Sequence, residues 1–282
     1  MATIIHLKDL MANTTFEPPC NIFYGICNQT VANPIMVMGL TRSDSDMRNQ
    51  RHYHINCDAA QYKIKGHDHL VVGPDHERQV LDYCTGDFSF IPKGEIHGAT
   101  GIGESNELIF CYANVGSKDE AGTVFIEPPW DQTAEAVPVP VSHQGGKTRA
   151  RIIKEPQEDK VYAAPLITGF GINSETVENP DMVLGTSIMP PGGWNRRHYH
   201  TNADVAMYKI KGHDRMSIGP DHEMQEMDFQ EGDFIYIPRG EIHGAINLDN
   251  KEGFLVFCYV GAGGSLEEIK KGKIYVVPEP PQ

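Results

Sequence analysis

Histidine spacing is the feature of this sequence that most directly promises chemistry. His52 and His54 are separated by one residue, and so are His198 and His200. Residues two apart on a strand face the same side, so both rings of a pair can reach one ion. Asp58 and Asp204 lie further along at the same even phase. His97 and His243 each follow a Pro-x-Gly turn, at Pro92–Gly94 and Pro238–Gly240. Imidazole nitrogens and a carboxylate suit a divalent transition metal such as Fe, Mn, Ni, Cu or Zn. The expectation is therefore two mononuclear centres. One comprises His52, His54, Asp58 and His97, and the other His198, His200, Asp204 and His243. No GxSxG elbow, Walker-type loop or GxGxxG fingerprint offers competing chemistry.

The two histidine sets arise from an internal repeat. RHYHINCDAAQYKIKGHDH from Arg51 matches RHYHTNADVAMYKIKGHDR from Arg197, an offset of 146 residues. From Asn49 to His97, 31 of 49 positions are identical in the second copy. One extra residue then enters copy two, where Phe110-Cys111-Tyr112 meets Phe257-Cys258-Tyr259. The repeat predicts two domains of one fold, at 17–130 and 148–282. The intervening 131–147 is rich in Pro, Ala and Gly without periodicity, as expected of a linker.

Each copy reads as short strands rich in aromatic and β-branched residues, punctuated by Gly, Pro and Asp. YKIKG, FSFIP and FIYIP, LIFCY and LVFCY are examples. The chain is expected to be all-β, with a sandwich or small barrel in each half. Even positions from 52 to 64 end in Ala, Tyr and Ile, whereas odd positions end in Gln, Lys and Lys. That contrast points the even face inward. It brings Tyr62 and Tyr208 toward the ligands, with Trp194 beside the second HYH as a ring for substrate to stack on. His67, His76 and their counterparts His213 and His222 fall in GHD and GPDHE segments that read as solvated hairpin turns. Cys111 and Cys258 read as small core residues.

Composition narrows the partners. The 282 residues carry 38 acidic against 24 basic side chains, a formal net charge of −14. Such a surface repels polyanions, so neither nucleic acid nor anionic membrane is expected. No apolar run approaches a membrane span, and the first residues show no secretory leader. Six unpatterned cysteines, five of them in the first half, suggest free thiols in a reducing, cytoplasmic setting.

With these residues in view, the sequence resembles a two-domain member of the cupin superfamily, a bicupin. The family's first motif is Gly, five residues, HxH, three or four residues, Glu, six residues, Gly. Its second is Gly, five residues, PxG, two residues, His, three residues, Asn. Copy two shows Gly192, His198, His200, Gly212, then Gly232, Pro238, Gly240, His243 and Asn247. Copy one lacks the leading Gly, with Asp46 there, and the closing Asn, with Gly101 there. Asp58 and Asp204 stand where Glu is expected, one residue further from the closing Gly.

The resemblance implies tandem jelly-roll barrels and metal-dependent chemistry on a small molecule, in a chain that pairs with copies of itself. A histidine-dominated ligand set points first to Fe(II) and O2, cleaving a dihydroxyaromatic or diketone substrate, with Tyr208, Trp194 and Tyr62 near it. The alternative is a redox-neutral Mn, Ni or Zn lyase, decarboxylase, isomerase or hydrolase. A second alternative is a non-catalytic binding protein.

Overall fold

The computed structural model describes residues 1–127, 148–154, 160–163 and 166–276. The expected linker, 131–147, lies outside them. In chain order the strands are β1 Thr3–His6, β2 Asn21–Ile26, β3 Met36–Ser43, β4 His52–His54, β5 Ala59–Lys65, β6 His67–Val72, β7 Gln79–Cys84, β8 Phe88–Ile91, β9 His97–Gly101, β10 Asn106–Ala113, β11 Thr123–Phe125 and β12 Arg151–Ile153. They continue with β13 Lys160–Ala163, β14 Leu166–Ile172, β15 Met182–Met189, β16 Trp194–His200, β17 Asp204–Lys211, β18 His213–Ile218, β19 Gln225–Gln230, β20 Asp233–Ile237, β21 His243–Asn247, β22 Gly253–Val260 and β23 Lys273–Tyr275. A short α-helix, α1 (Leu266–Gly272), precedes β23. The fold is all-β, as expected.

Each half pairs a large sheet with a small one. In the first half the orders are β12-β8-β5-β10-β3-β2 and β11-β4-β9-β6-β7. In the second they are β1-β20-β17-β22-β15-β14-β13 and β19-β18-β21-β16-β23. Turns at Gly66 (φ 105°) and Gly212 (φ 97°) carry the chain from large to small sheet through a conformation that favours glycine. Within each sandwich a core separates the two sheets. Leu70, Val72, Tyr83 and Phe110 belong to the first, and Met216, Phe229, Ile235 and Phe257 to the second.

The largest core lies between the halves. Met38, Leu40, Tyr62, Phe88 and Phe90 pack against Leu184, Tyr208, Phe234 and Val256. The outer faces of the two large sheets therefore form one apolar layer. Gly25 lies against the Phe234 ring, and its repeat counterpart Gly171 lies against Phe88. A Cβ at either position would occupy the ring's space.

The halves also exchange strands. β1 pairs antiparallel with β20, Thr3 opposite Tyr236, and so extends the second half's large sheet. β12 pairs with β8, Arg151 opposite Phe90, and extends the first half's. ATII (2–5) and ARII (150–153) are thus repeat counterparts at an offset of 148, two residues out of the main register. Capping contacts repeat as well, His6 with the Asp233 carboxylate at 2.6 Å and the Lys154 ammonium with Asp87 at 2.7 Å. The boundaries at 17 and 148 describe the sequence repeat. The hydrogen-bonded sheets cross them.

Two candidate metal centres

His52 and His54 form β4, and His97 opens β9, which pairs with it directly opposite His52. His198 and His200 end β16, and His243 opens β21 opposite His198. All six imidazoles are buried, and within each triad the ligand atoms lie within 4.8 Å of one another. The close approach of three imidazoles follows from the ladder. A cross-strand pair sets two rings side by side, and the HxH spacing adds the third.

Backbone carbonyls fix the ring orientation. Nδ1 of His52, His97, His198 and His243 donates to the carbonyls of Gln50, Glu95, Arg196 and Glu241 at 2.7–3.0 Å. Nδ1 of His54 pairs with the Thr123 hydroxyl at 3.0 Å. Protonation at Nδ1 leaves the Nε2 lone pair free to bind an ion, the usual outer support of a metal-bound histidine. Burial pushes His54 and His200 down to about 3 and His243 down to about 4. The same cause holds His97 and His198 well below the ordinary histidine range. These rings are neutral at physiological pH. Nε2 of His54 and both nitrogens of His200 are buried without a hydrogen-bond partner. Such atoms cost free energy unless something coordinates them, so the donors present fit a divalent transition ion.

The expected carboxylate ligands are elsewhere. Asp58 accepts from the backbone N–H of Lys93 at 2.9 Å and of Asp181, in the other half, at 3.1 Å. Asp204 accepts from the Tyr236 hydroxyl and from the Arg239 backbone and guanidinium. Asp58 thus ties the two halves together, Asp204 is held within the second half, and neither joins its histidine triad. Tyr62 and Tyr208 are buried in the layer between the halves, and neither lines a barrel cavity. Trp194 pairs with Ile246 at the start of β16 and likewise lies outside the cavity lining.

One cause explains four of these corrections. Residues 55–58, and 201–203 in the second half, turn the chain from the small sheet to the large one, so strand phase does not carry from β4 into β5 or from β16 into β17. The odd positions Ala59 and Gln61 face the barrel interior, and so do Val205 and Met207. With six residues left before Gly66 and Gly212, the family's Glu position falls on Ala59 and Val205. The glutamate is lost, and the neighbouring Asp points the other way. The misleading signal was Lys63 and Lys209, whose charges suggested an outer face. Both are fully buried, ion-paired with Asp68 and Asp214.

The two cavities differ in character. The first, about 60 Å³, is lined by Glu17, Thr41, Ser43, Asn49 and Gln61 together with His52 and His97. Glu17 arrives from the segment before β2, accepts from the Asn49 amide and stands 3.8 Å from His52 Nε2. The second, about 90 Å³, is walled by Leu166, Phe170, Met207, Met216 and Phe257, with Leu266 and Ile269 of α1 beside all three histidines. Lys273 faces into it from β23, opposite His200, where the first half has Thr123 opposite His54. Burial pushes the Lys273 ammonium down to about 8. Sequence reading passed over Glu17 and Lys273 because neither lies in a motif. Aligning KIY (273–275) with TVF (123–125) would have flagged the second.

Residues 185–259 match the family described as Cupin domain. No curated protein matches the chain. Among solved structures, the chain is similar to oxalate decarboxylase from Bacillus subtilis. A structure of that protein at pH 4.6 shares 15% identity, covers 93% of this chain and 78% of its own, and gives a TM-score of 0.71. Another, from work on the enzyme's Mn(II) centres, shares 14% identity over 92% of this chain and 77% of its own, with a TM-score of 0.72. At such identity the likeness speaks for the fold. Repeat, paired barrels and motif residues agree with it: residues 185–259 match a cupin domain, and the chain as a whole shares the fold of two-barrel cupins.

Proposed function

We propose that this chain is a divalent-metal enzyme whose second barrel cleaves a small carboxylate without net redox change, in the manner of a decarboxylase or lyase. The carrying observation is the second cavity, where three neutral imidazoles, an ammonium and apolar walls meet. Neutral ligands leave the full charge of a divalent ion uncompensated, and Lys273 adds to it. Apolar surroundings strengthen that field, so the cavity selects an anion. A bound divalent ion supplies Lewis-acid polarisation of a chelated carboxylate or carbonyl. His198, His200 and His243 would hold it, Mn(II) being a fitting choice. Lys273 pairs with a substrate carboxylate and is placed to hand a proton to the product. Leu266 and Ile269 keep water from the reacting carbon. Similarity to oxalate decarboxylase supports this class of reaction and leaves the substrate open.

A second reading, Fe(II) dioxygenase chemistry, draws on a different observation. Ala59 and Val205 replace the family's glutamate, so three ligand positions stay free on each ion, enough for a bidentate substrate and O2. One experiment separates the two. Metal-loaded protein is given short dicarboxylates, 2-oxo acids, catechols and diketones while CO2 and O2 are followed. CO2 release with no O2 uptake is the expected result. O2 uptake matching turnover would establish the second reading instead, and binding without turnover would leave a binding protein.

A further inference from the structure

The first half carries a third group of potential metal donors, outside both barrels. His67 and His69 lie two apart on β6, so their side chains share a face. Asp68 and Leu70, on the other face, line the first cavity. The two histidines therefore project from the outer side of the small sheet, away from His52, His54 and His97. β7 is the sheet's edge strand, and it sets Asp82 directly opposite His69.

The geometry converges on one point. Asp82 Oδ1 lies 3.2 Å from His67 Nε2 and 3.3 Å from His69 Nε2. The two rings stand at 88° with centroids 5.6 Å apart. All three donor atoms lie within 4.8 Å of one another. Ligand bonds of about 2.0–2.2 Å at tetrahedral angles put neighbouring donors about 3.3–3.6 Å apart. The two donor–carboxylate separations already have the length of a coordination edge, and each side chain is accessible enough to admit an ion.

The second half supplies an internal comparison. β18 and β19 keep the same register, with His213 for His67 and Asp228 for Asp82. Arg215 stands where the first half has His69, and its guanidinium reaches Asp228 at 3.4 Å and Glu226 at 3.6 Å. A permanent cation compensates the carboxylate there. In the first half two imidazoles face it instead. Two imidazoles and one carboxylate favour borderline ions over Mg²⁺ or Ca²⁺, which prefer all-oxygen shells.

We propose that His67, His69 and Asp82 form a surface site for a borderline divalent transition ion, Zn²⁺, Ni²⁺ or Cu²⁺. Its remaining position is open to water or to an outside ligand. The site is independent of the barrel centres and of the reaction assigned to them.

The test uses the full, untagged chain and Zn²⁺ as probe. His69→Arg copies the arrangement that the second half already tolerates, so folding is preserved. His76→Ala removes an exposed histidine outside the cluster and serves as control. The wild type and His76→Ala are expected to be retained on immobilised Zn²⁺, which buried barrel histidines cannot reach. His69→Arg should elute early and bind one Zn²⁺ equivalent fewer by calorimetry, with its barrel-bound metal unchanged. Equal Zn²⁺ stoichiometry in the wild type and His69→Arg would overturn the proposal. So would loss of retention in His76→Ala equal to that in His69→Arg.

Discussion

At the scale of single residues, the chemistry rests on imidazoles held neutral by burial. His54 and His200 at about 3 and His243 at about 4 sit far below the value of a free histidine. The folded chain therefore binds fewer protons than the unfolded chain between those values and about 6.5. Stability rises with pH across that window and is lost as pH falls through it. Each such ring contributes a slope of about 1.4 kcal/mol per pH unit. Metal-stripped protein is expected to lose thermal stability steeply between pH 6.5 and 4, as followed by calorimetry. A flat profile would mean that these rings are protonated in the fold. The triads were legible in the sequence because HxH and PxG are local signals. Glu17 and Lys273 were not, because each reaches its cavity from a segment whose place only the tertiary fold sets.

At the scale of elements, the corners at residues 55–58 and 201–203 decide what each side chain does. Periodicity identifies strands but says nothing of phase across a turn, and that limit misassigned Asp58, Asp204, Tyr62 and Tyr208. The buried pairs Lys63–Asp68 and Lys209–Asp214 deepened the error, since an unpaired reading of those lysines places them in solvent. The consequence is measurable. Asp204→Ala removes the acceptor for the Tyr236 hydroxyl and the Arg239 guanidinium while leaving the His198 triad untouched. It should cost about 2 kcal/mol of stability, the order expected for stranding a buried donor. The second barrel should still carry its metal. Metal loss from that variant without loss of stability would return Asp204 to the ligand sphere.

At the scale of the whole molecule, duplication has produced two barrels that depend on one another. Each lends its leading strand to its neighbour's large sheet, and Gly25 and Gly171 let the Phe234 and Phe88 rings approach the opposite backbone. Gly171→Ala should therefore destabilise both halves together, by about 1–3 kcal/mol, the range for overpacking a close-fitted core. A single cooperative transition at lower temperature is the expected calorimetric trace. Two separate transitions would show the halves folding independently. The barrels have meanwhile diverged inside, the first cavity carrying Glu17 near its histidines and the second Lys273.

Each histidine triad is expected to hold a transition metal. Metal analysis of purified protein, after weakly held ions are removed on a chelating resin, tests it most directly. Two equivalents per wild-type chain are expected, one in His198→Ala and one in His52→Ala. Turnover should be abolished only in His198→Ala. Wild-type protein free of metal, or His198→Ala retaining both equivalents, would contradict it.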